Sequence, residues 1–372
     1  MTPIDARPSP RLLFGPGRLA ELPDAAKSIG ASNILLVTDP GILDAGHAQH
    51  AVEFLEAAGL KVTVYGKAHI NPSESDIEAC RMFAAELAPD LIIGFGGGSS
   101  MDTAKGCNFL LSNGGRMADY KGYGHAEKPL LPFIAVPTTA GTGSECQSYA
   151  VVSRDGSHEK IACGDPKALA QVAILDPELT VSQPQSVATL TALDALSHAL
   201  ESAVCTKRNP ISADYSRESF RLIASSISSI LDHSATLEDR SHMLLGAAKA
   251  GSAIENSMLG AAHATANPLT ALFNVPHGHA VALMLPHVVR FNSEHAEAAA
   301  IYEDFSKQLG EPLIDWLEDI IASASLPDLD IDVSRIPELT AAALPQWTGQ
   351  FNPRPISESD VTTLYRSALP VA

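Results

Sequence analysis

The chain has 372 residues, 45% hydrophobic and 5% aromatic, with 25 Lys and Arg against 43 Asp and Glu and a formal net charge of −18. That length exceeds the usual span of one hydrophobic core, so two domains are expected. The acidic balance, unbroken by any Lys/Arg run, repels phosphate backbones and anionic lipid surfaces and argues against nucleic-acid and membrane partners.

The N-terminal stretch MTPIDARPSPRLLFGPG carries Pro and charge where a secretory segment needs an apolar run. Nowhere is there an apolar run long enough for a transmembrane helix. Cysteines at 80, 107, 146, 163 and 205 follow neither a C-x-x-C nor a disulfide-framework spacing, which fits reduced thiols. A cytoplasmic protein is expected.

From residue 30, short apolar runs alternate with amphipathic stretches: NILLVTD (33–39), KVTVYG (61–66), LIIGFGGG (91–98), FIAVPTT (133–139) and VAILDP (172–177). Runs this short, bounded by Gly, Pro or Asp, predict βαβ units and a parallel, helix-covered sheet. After about residue 180 the pattern becomes long Ala/Leu/Ser helical periodicity, including a central helix through SHMLLGAAKAGSAIENSMLGAAHATANPL whose small residues allow close packing. The expected organisation is an α/β dinucleotide-binding domain over 1–183 and an all-helical metal-binding domain over 184–372.

In LIIGFGGGSSMDTAKG, three glycines stand where a strand ends and a helix begins, letting a phosphate approach backbone N–H groups at a helix N-terminus. Gly97, Gly98 and Ser99 lie in this turn, with Asp102 expected in the first helical turn. A tight structural turn gives the same letters, and the spacing is not G-x-G-x-x-G. The loop AVPTTAGTGSE (135–145) supplies Thr138, Thr139, Thr142 and Ser144 after the next strand, and two such loops suit a pyrophosphate and a ribose better than one. Asp39 can accept hydrogen bonds from an adenine ribose and repel a 2′-phosphate, or serve only as a helix N-cap.

Asp194 and His198 stand four apart in LTALDALSHALES and share a helix face; His263 and His277 follow in LGAAHATANPLTALFNVPHGHAVALMLPH. Separately, the pair reads equally as a buried Asp–His couple and each lone His as a satisfied core residue. Together they form a carboxylate–imidazole shell with positions open for water or substrate, suited to Fe²⁺ or Zn²⁺. His279, His287 and Asn267, one turn beyond His263, are candidates near this shell; an amide at 267 orients an oxygen but carries no proton near neutrality.

FGPGRLAELP, GGGSSMDTAK, PTTAGTGSE, DALSHALES, HATANPLTALFNVPHG and NPRPISESDV, in this order, resemble the iron-containing (group III, metal-dependent) alcohol dehydrogenase family over essentially the whole chain. The resemblance implies a dehydroquinate synthase-like architecture: an α/β nucleotide domain with a parallel sheet, then an all-α domain. It implies Asp194, His198, His263 and His277 as metal ligands, Fe²⁺ before Zn²⁺. It also implies NAD, preferred over NADP, held by Asp39, Asn71, Gly97, Gly98, Ser99, Asp102, Thr138, Thr139, Thr142, Ser144, Lys160 and Leu179. Partners implied are a small alcohol or aldehyde and further copies of the chain, as a homodimer or larger homo-oligomer.

The sequence departs from the family at Asn267, where many members carry a histidine, and at His279, where many carry another residue. His279 is therefore expected to replace the missing imidazole in part. The expected activity is metal-dependent, NAD-linked alcohol dehydrogenase or aldehyde reductase. Dehydroquinate-synthase-like and maleylacetate-reductase-like enzymes are the alternatives on the same fold, and a non-catalytic nucleotide-binding protein is a third.

Overall fold

The computed structural model describes residues 9–156 and 159–369; residues 1–8, 157–158 and 370–372, which include the Pro-rich start of the chain and His158 of HEKIACGDP, lie outside them. Two compact units divide between Gln183 and Pro184.

The first unit contains strands β1 (Arg11–Phe14), β2 (Asn33–Val37), β3 (Lys61–Tyr65), β4 (Leu91–Gly96), β5 (Gly122–Tyr123), β6 (Phe133–Pro137), β7 (Tyr149–Ser153), β8 (Lys160–Gly164) and β9 (Val172–Leu175). Its helices are α1 (Leu22–Ser28), α2 (Pro40–Asp44), α3 (His47–Ala57), α4 (Glu74–Ala85) and α5 (Gly98–Asn113). Six strands form a parallel sheet in the order β1-β9-β6-β4-β2-β3. β4 and β6 are buried along their whole length, the reason these segments read as unbroken apolar runs.

Five strands of this sheet follow the expected runs; β1 does not announce itself, because only one of its four residues is buried. A second sheet, β5-β8-β7, was not anticipated either. Its antiparallel β7–β8 pair packs Ala150, Val152, Ile161 and Cys163 against Ile77 of α4 and Phe109 of α5.

Strand order fixes where a ligand can sit. β3 lies on one side of β2, whereas β4, β6 and β9 extend from the other, so the chain leaves the carboxyl ends of β2 and β4 in opposite directions. Such a switch point opens a crevice beyond those strand ends.

The second unit is helical: α6 (Gln185–Val204), α7 (Pro210–Ala224), α8 (Ile227–Leu231), α9 (Leu237–Glu255), α10 (Ala261–Phe273), α11 (His277–Asn292), α12 (Ala296–Leu309), α13 (Leu313–Ser323), α14 (Ile336–Ala343) and α15 (Glu358–Ala368). The expected single central helix is two, α9 and α10, separated by residues 256–260. Carboxylate and amide oxygens from elsewhere in the unit satisfy the N–H groups at the break: Glu201 accepts from Gly260 and Ala262, and Asn352 accepts from Ala261. That interruption sets His263 in the first turn of a helix. Small residues do permit close packing, since a Cβ on Gly246 of α9 would come within 2.8 Å of Ile223 on α7. Among the described residues no helix is long and apolar enough to cross a membrane.

Candidate metal centre and dinucleotide site

Asp194 and His198 project from α6, His263 from α10 and His277 from the first position of α11. Gly278 lets α11 approach α6, because a Cβ there would collide with the Leu190 carbonyl one turn before Asp194. The result is convergence on one oxygen. Asp194 Oδ1 lies 3.3 Å from His198 Nε2, 3.5 Å from His263 Nε2 and 3.7 Å from His277 Nε2, and the Nε2 atoms of His198 and His263 are 3.1 Å apart.

Ligand atoms of Asp194, His263 and His277 all lie within 4.8 Å of one another, a group able to hold a metal ion, and His198 Nε2 stands beside Asp194 and His263 of that group. Asp194 Oδ1 is buried and accepts no hydrogen bond, although three imidazole nitrogens face it. An uncompensated buried carboxylate oxygen is costly, and a shared cation removes that cost. The donor set, one oxygen and three nitrogens without thiolate, fits a divalent metal. Burial pushes the Asp194 carboxyl up, but His198, His263 and His277 overcome it and hold the group well below the usual range.

Glu201, seven residues after Asp194 and three after His198, completes the arrangement from the same helix. Its Oε2 takes the hydrogen bond of His263 Nδ1, while Oε1 accepts from the backbone N–H groups of Gly260 at 3.1 Å, Ala262 at 2.7 Å and His263 at 3.4 Å. With its proton on Nδ1, His263 presents the Nε2 lone pair to a metal, a carboxylate–histidine–metal relay. Burial drives the His263 pKa down, yet Glu201 and Asp194 raise it to about 9 in the metal-free protein. Glu201 was not singled out from sequence; the available signal was a glutamate in helical register with both ligands inside an apolar stretch.

The remaining histidine candidates are placed differently. His279, two residues past His277, is rotated ~200° around α11 and lines a cavity with Leu283, α13 and the end of α15. No hydrogen bond joins it to the four-residue cluster among the described residues. Asn267, one turn from His263, donates to Gln346 Oε1 at 3.1 Å. α11 continues through Pro286, with His287 half-buried on it.

In the first unit the two loops of the sequence reading lie together at the ends of β4 and β6. Gly96 has φ +142°, a backbone that disfavours any side chain, and a Cβ on Gly98 would come within 2.8 Å of Thr142. A Cβ on Gly97 would meet Thr139 at 3.3 Å, and Thr138 pairs its N–H with the Gly96 carbonyl. α5 begins at Gly98, capped by Gly97 without a side-chain bond, which moves Asp102 into the second turn instead of the first. Burial pushes Asp102 up to about 6 against the pull of Lys105 and Lys160 and of bonds from Val151 N–H and the Ser144 hydroxyl.

Asp39 is the N-cap of α2. Oδ1 caps α2 by accepting from Ile42 N–H at 3.1 Å, and Oδ2 accepts from Ser100 Oγ at 2.8 Å, holding the carboxylate at the β2/β4 switch point. Asn71, at φ +53°, links Ser99 Oγ, which bonds its N–H at 3.1 Å, to Lys160 Nζ, which donates to its Oδ1. Leu179 is turned into the core beneath the sheet with Leu19, Val136 and Ile174. Ser144 is held within the protein by Lys105, a buried lysine unmarked in the sequence reading, whose Nζ donates to Ser144 O, Ser144 Oγ, Gln147 O and Tyr149 O. This cation fixes the second loop from below. The bare glycine turn and the helix N-terminus fit a dinucleotide phosphate.

The family model for iron-containing alcohol dehydrogenase matches residues 9–177, and the one for the C-terminal part of the Fe-containing alcohol dehydrogenase family matches residues 188–369. The chain is 32% identical over 367 residues to alcohol dehydrogenase 4 of Schizosaccharomyces pombe, covering 96% of this chain and 87% of that one. It is 31% identical over 375 residues to the NAD-dependent methanol dehydrogenase of Bacillus methanolicus, covering 97% and 98%. The crystal structure of a 1,3-propanediol oxidoreductase superposes with a TM-score of 0.91 at 28% identity, covering 99% of this chain and all of that one. With a parallel-sheet α/β unit, a helical unit and an Asp–His cluster in hand, the chain belongs to the iron-containing alcohol dehydrogenase family of oxidoreductases acting on alcohols and aldehydes.

Proposed function

We propose that this protein is a divalent-metal-dependent, NAD-linked alcohol dehydrogenase or aldehyde reductase. Bound nicotinamide would supply hydride exchange with the carbinol or carbonyl carbon of a small substrate. The observation carrying this reading is Asp194 Oδ1, buried, without a hydrogen bond, and faced by three imidazole nitrogens.

A cation held by Asp194, His198, His263 and His277 supplies Lewis-acid polarisation of the substrate oxygen, and Fe²⁺ or Zn²⁺ suits these donors. Glu201 keeps the His263 proton on Nδ1, so that Nε2 stays a ligand. Gly97, Gly98 and Ser99 at the start of α5 hold the pyrophosphate, with Thr138, Thr139 and Thr142 beside them. The Asn71–Lys160 pair positions a cofactor hydroxyl, and Asp39 favours NAD by repelling a 2′-phosphate. Asn267 and Gln346 are amides, which orient an oxygen without taking its proton.

A dehydroquinate-synthase-like reaction would require basic residues for an anionic substrate, and the helices carrying the metal candidates offer few. The test is an NADH-linked survey of alcohols and aldehydes with enzyme reconstituted separately with Fe²⁺ and Zn²⁺. Turnover that survives complete chelation, or neither nicotinamide reduction with any alcohol nor NADH oxidation with any aldehyde, refutes the proposal.

A further inference from the structure

The His279 cavity has a volume of about 380 Å³ and lies entirely within the helical unit. Leu283, Ile321, Leu326, Leu329 and Leu369 form its aliphatic walls, while the exposed Ser325, Asp328 and Ser367 stand at its mouth. His279 is only 5% exposed, and among the described residues it makes no hydrogen bond. This imidazole, without a hydrogen bond among the described residues and set on the wall of a largely aliphatic cavity whose mouth is polar, is open to a polar group entering that cavity.

We propose that this cavity is a second small-molecule site, separate from the Asp194 centre, that takes an uncharged aliphatic alcohol with its hydroxyl against His279. A neutral imidazole offers one N–H and one lone pair, and a hydroxyl both donates and accepts, so it pairs with whichever nitrogen faces the cavity. The aliphatic walls accept the alkyl body. Asp328 at the mouth and the net charge of −18 select against carboxylates and phosphates. The site does not depend on the catalytic reading, because His279 and His277 face different sides of α11.

A tertiary alcohol, 2-methyl-2-butanol, has no carbinol hydrogen to give up and so binds without being oxidised. Its affinity is measured by saturation-transfer NMR in metal-loaded wild type, His279→Leu and Ser367→Trp, and in Asp194→Ala, which lacks the shared metal ligand. The expected result is saturable binding that weakens about fivefold or more in His279→Leu, the loss of one hydrogen bond. Ser367→Trp, at the exposed rim, weakens it by obstruction, and Asp194→Ala leaves it unchanged. Non-saturable binding, wild-type affinity in both cavity variants, or loss in Asp194→Ala, which would place the probe at the metal, overturns the proposal. Should His279→Leu fail to fold, the rim variant decides.

Discussion

Glu201→Gln isolates the proton on His263 from every other feature of the metal centre. Glu201 Oε1 meets three backbone N–H groups at 2.7–3.4 Å, and Oε2 meets Nδ1 of His263. Glutamine keeps the shape but has a single acceptor oxygen. Three donors at the start of α10 demand that oxygen, which leaves the NH₂ group facing Nδ1. Nδ1 must then accept, and the ring proton moves to Nε2, the atom aimed at Asp194. Loss of such a supporting carboxylate lowers metal affinity roughly 10–100-fold, about 1.4–2.7 kcal/mol. Competition against a chromogenic chelator measures it, with unchanged helicity by circular dichroism as the control. Wild-type affinity in the Gln variant would refute the claim that Glu201 sets the tautomer.

The raised pKa of His263, about 9, means that metal displaces a proton; affinity rises with pH towards that value, and calorimetry in buffers of different ionisation enthalpy reads the released proton. In the metal-free protein the sign is reversed: this stabilisation is complete below the unfolded pKa near 6.5 and is lost as pH rises through about 9, which melting curves detect. Burial raises Glu145 from 4.5 to about 7, against its own backbone N–H and Lys105, and its Oε1 has no hydrogen-bond partner. Stability from its neutral form is present below the unfolded pKa and lost as pH rises through about 7, a displacement of order 3 kcal/mol. Glu145→Gln therefore raises the Tm at pH 8 and not in acid; an equal gain at both pH values contradicts the assignment. Asp39→Asn retains the α2 cap but removes the charge, so the kcat/KM preference for NAD over NADP falls by about tenfold, ~1.4 kcal/mol.

The apolar runs that became β2, β3, β4, β6 and β9 were legible because a strand buried on both faces carries its burial in its own residues. The Gly-rich turn was legible for a similar reason: a backbone at φ +142° in Gly96, with Ser100 and Thr142 crowding Gly96 and Gly98, excludes Cβ locally. The same local logic made the i, i+4 pair Asp194 and His198 visible on one helix face, and it raised His263 and His277 as companions. It missed β1 and the β7–β8 pair, whose short and partly exposed strands are defined by their partners.

Tertiary structure decided what depends on distant neighbours. Residues 201, 260 and 352 end one helix and start the next through hydrogen bonds that cross the unit, which no window of sequence contains. Direction around a helix separated His277 from His279, although the two are nearly adjacent in the chain: Gly278 seats α11 on Leu190 of α6 and turns one imidazole to Asp194 and the other to a different cavity. Sequence alone thus marked candidate side chains such as Asp194, His198, His263 and His277, because residue type and local period are written there, but not Glu201 or Lys105. Packing determined which of them meet, because convergence is a property of helices brought together from far apart in the chain.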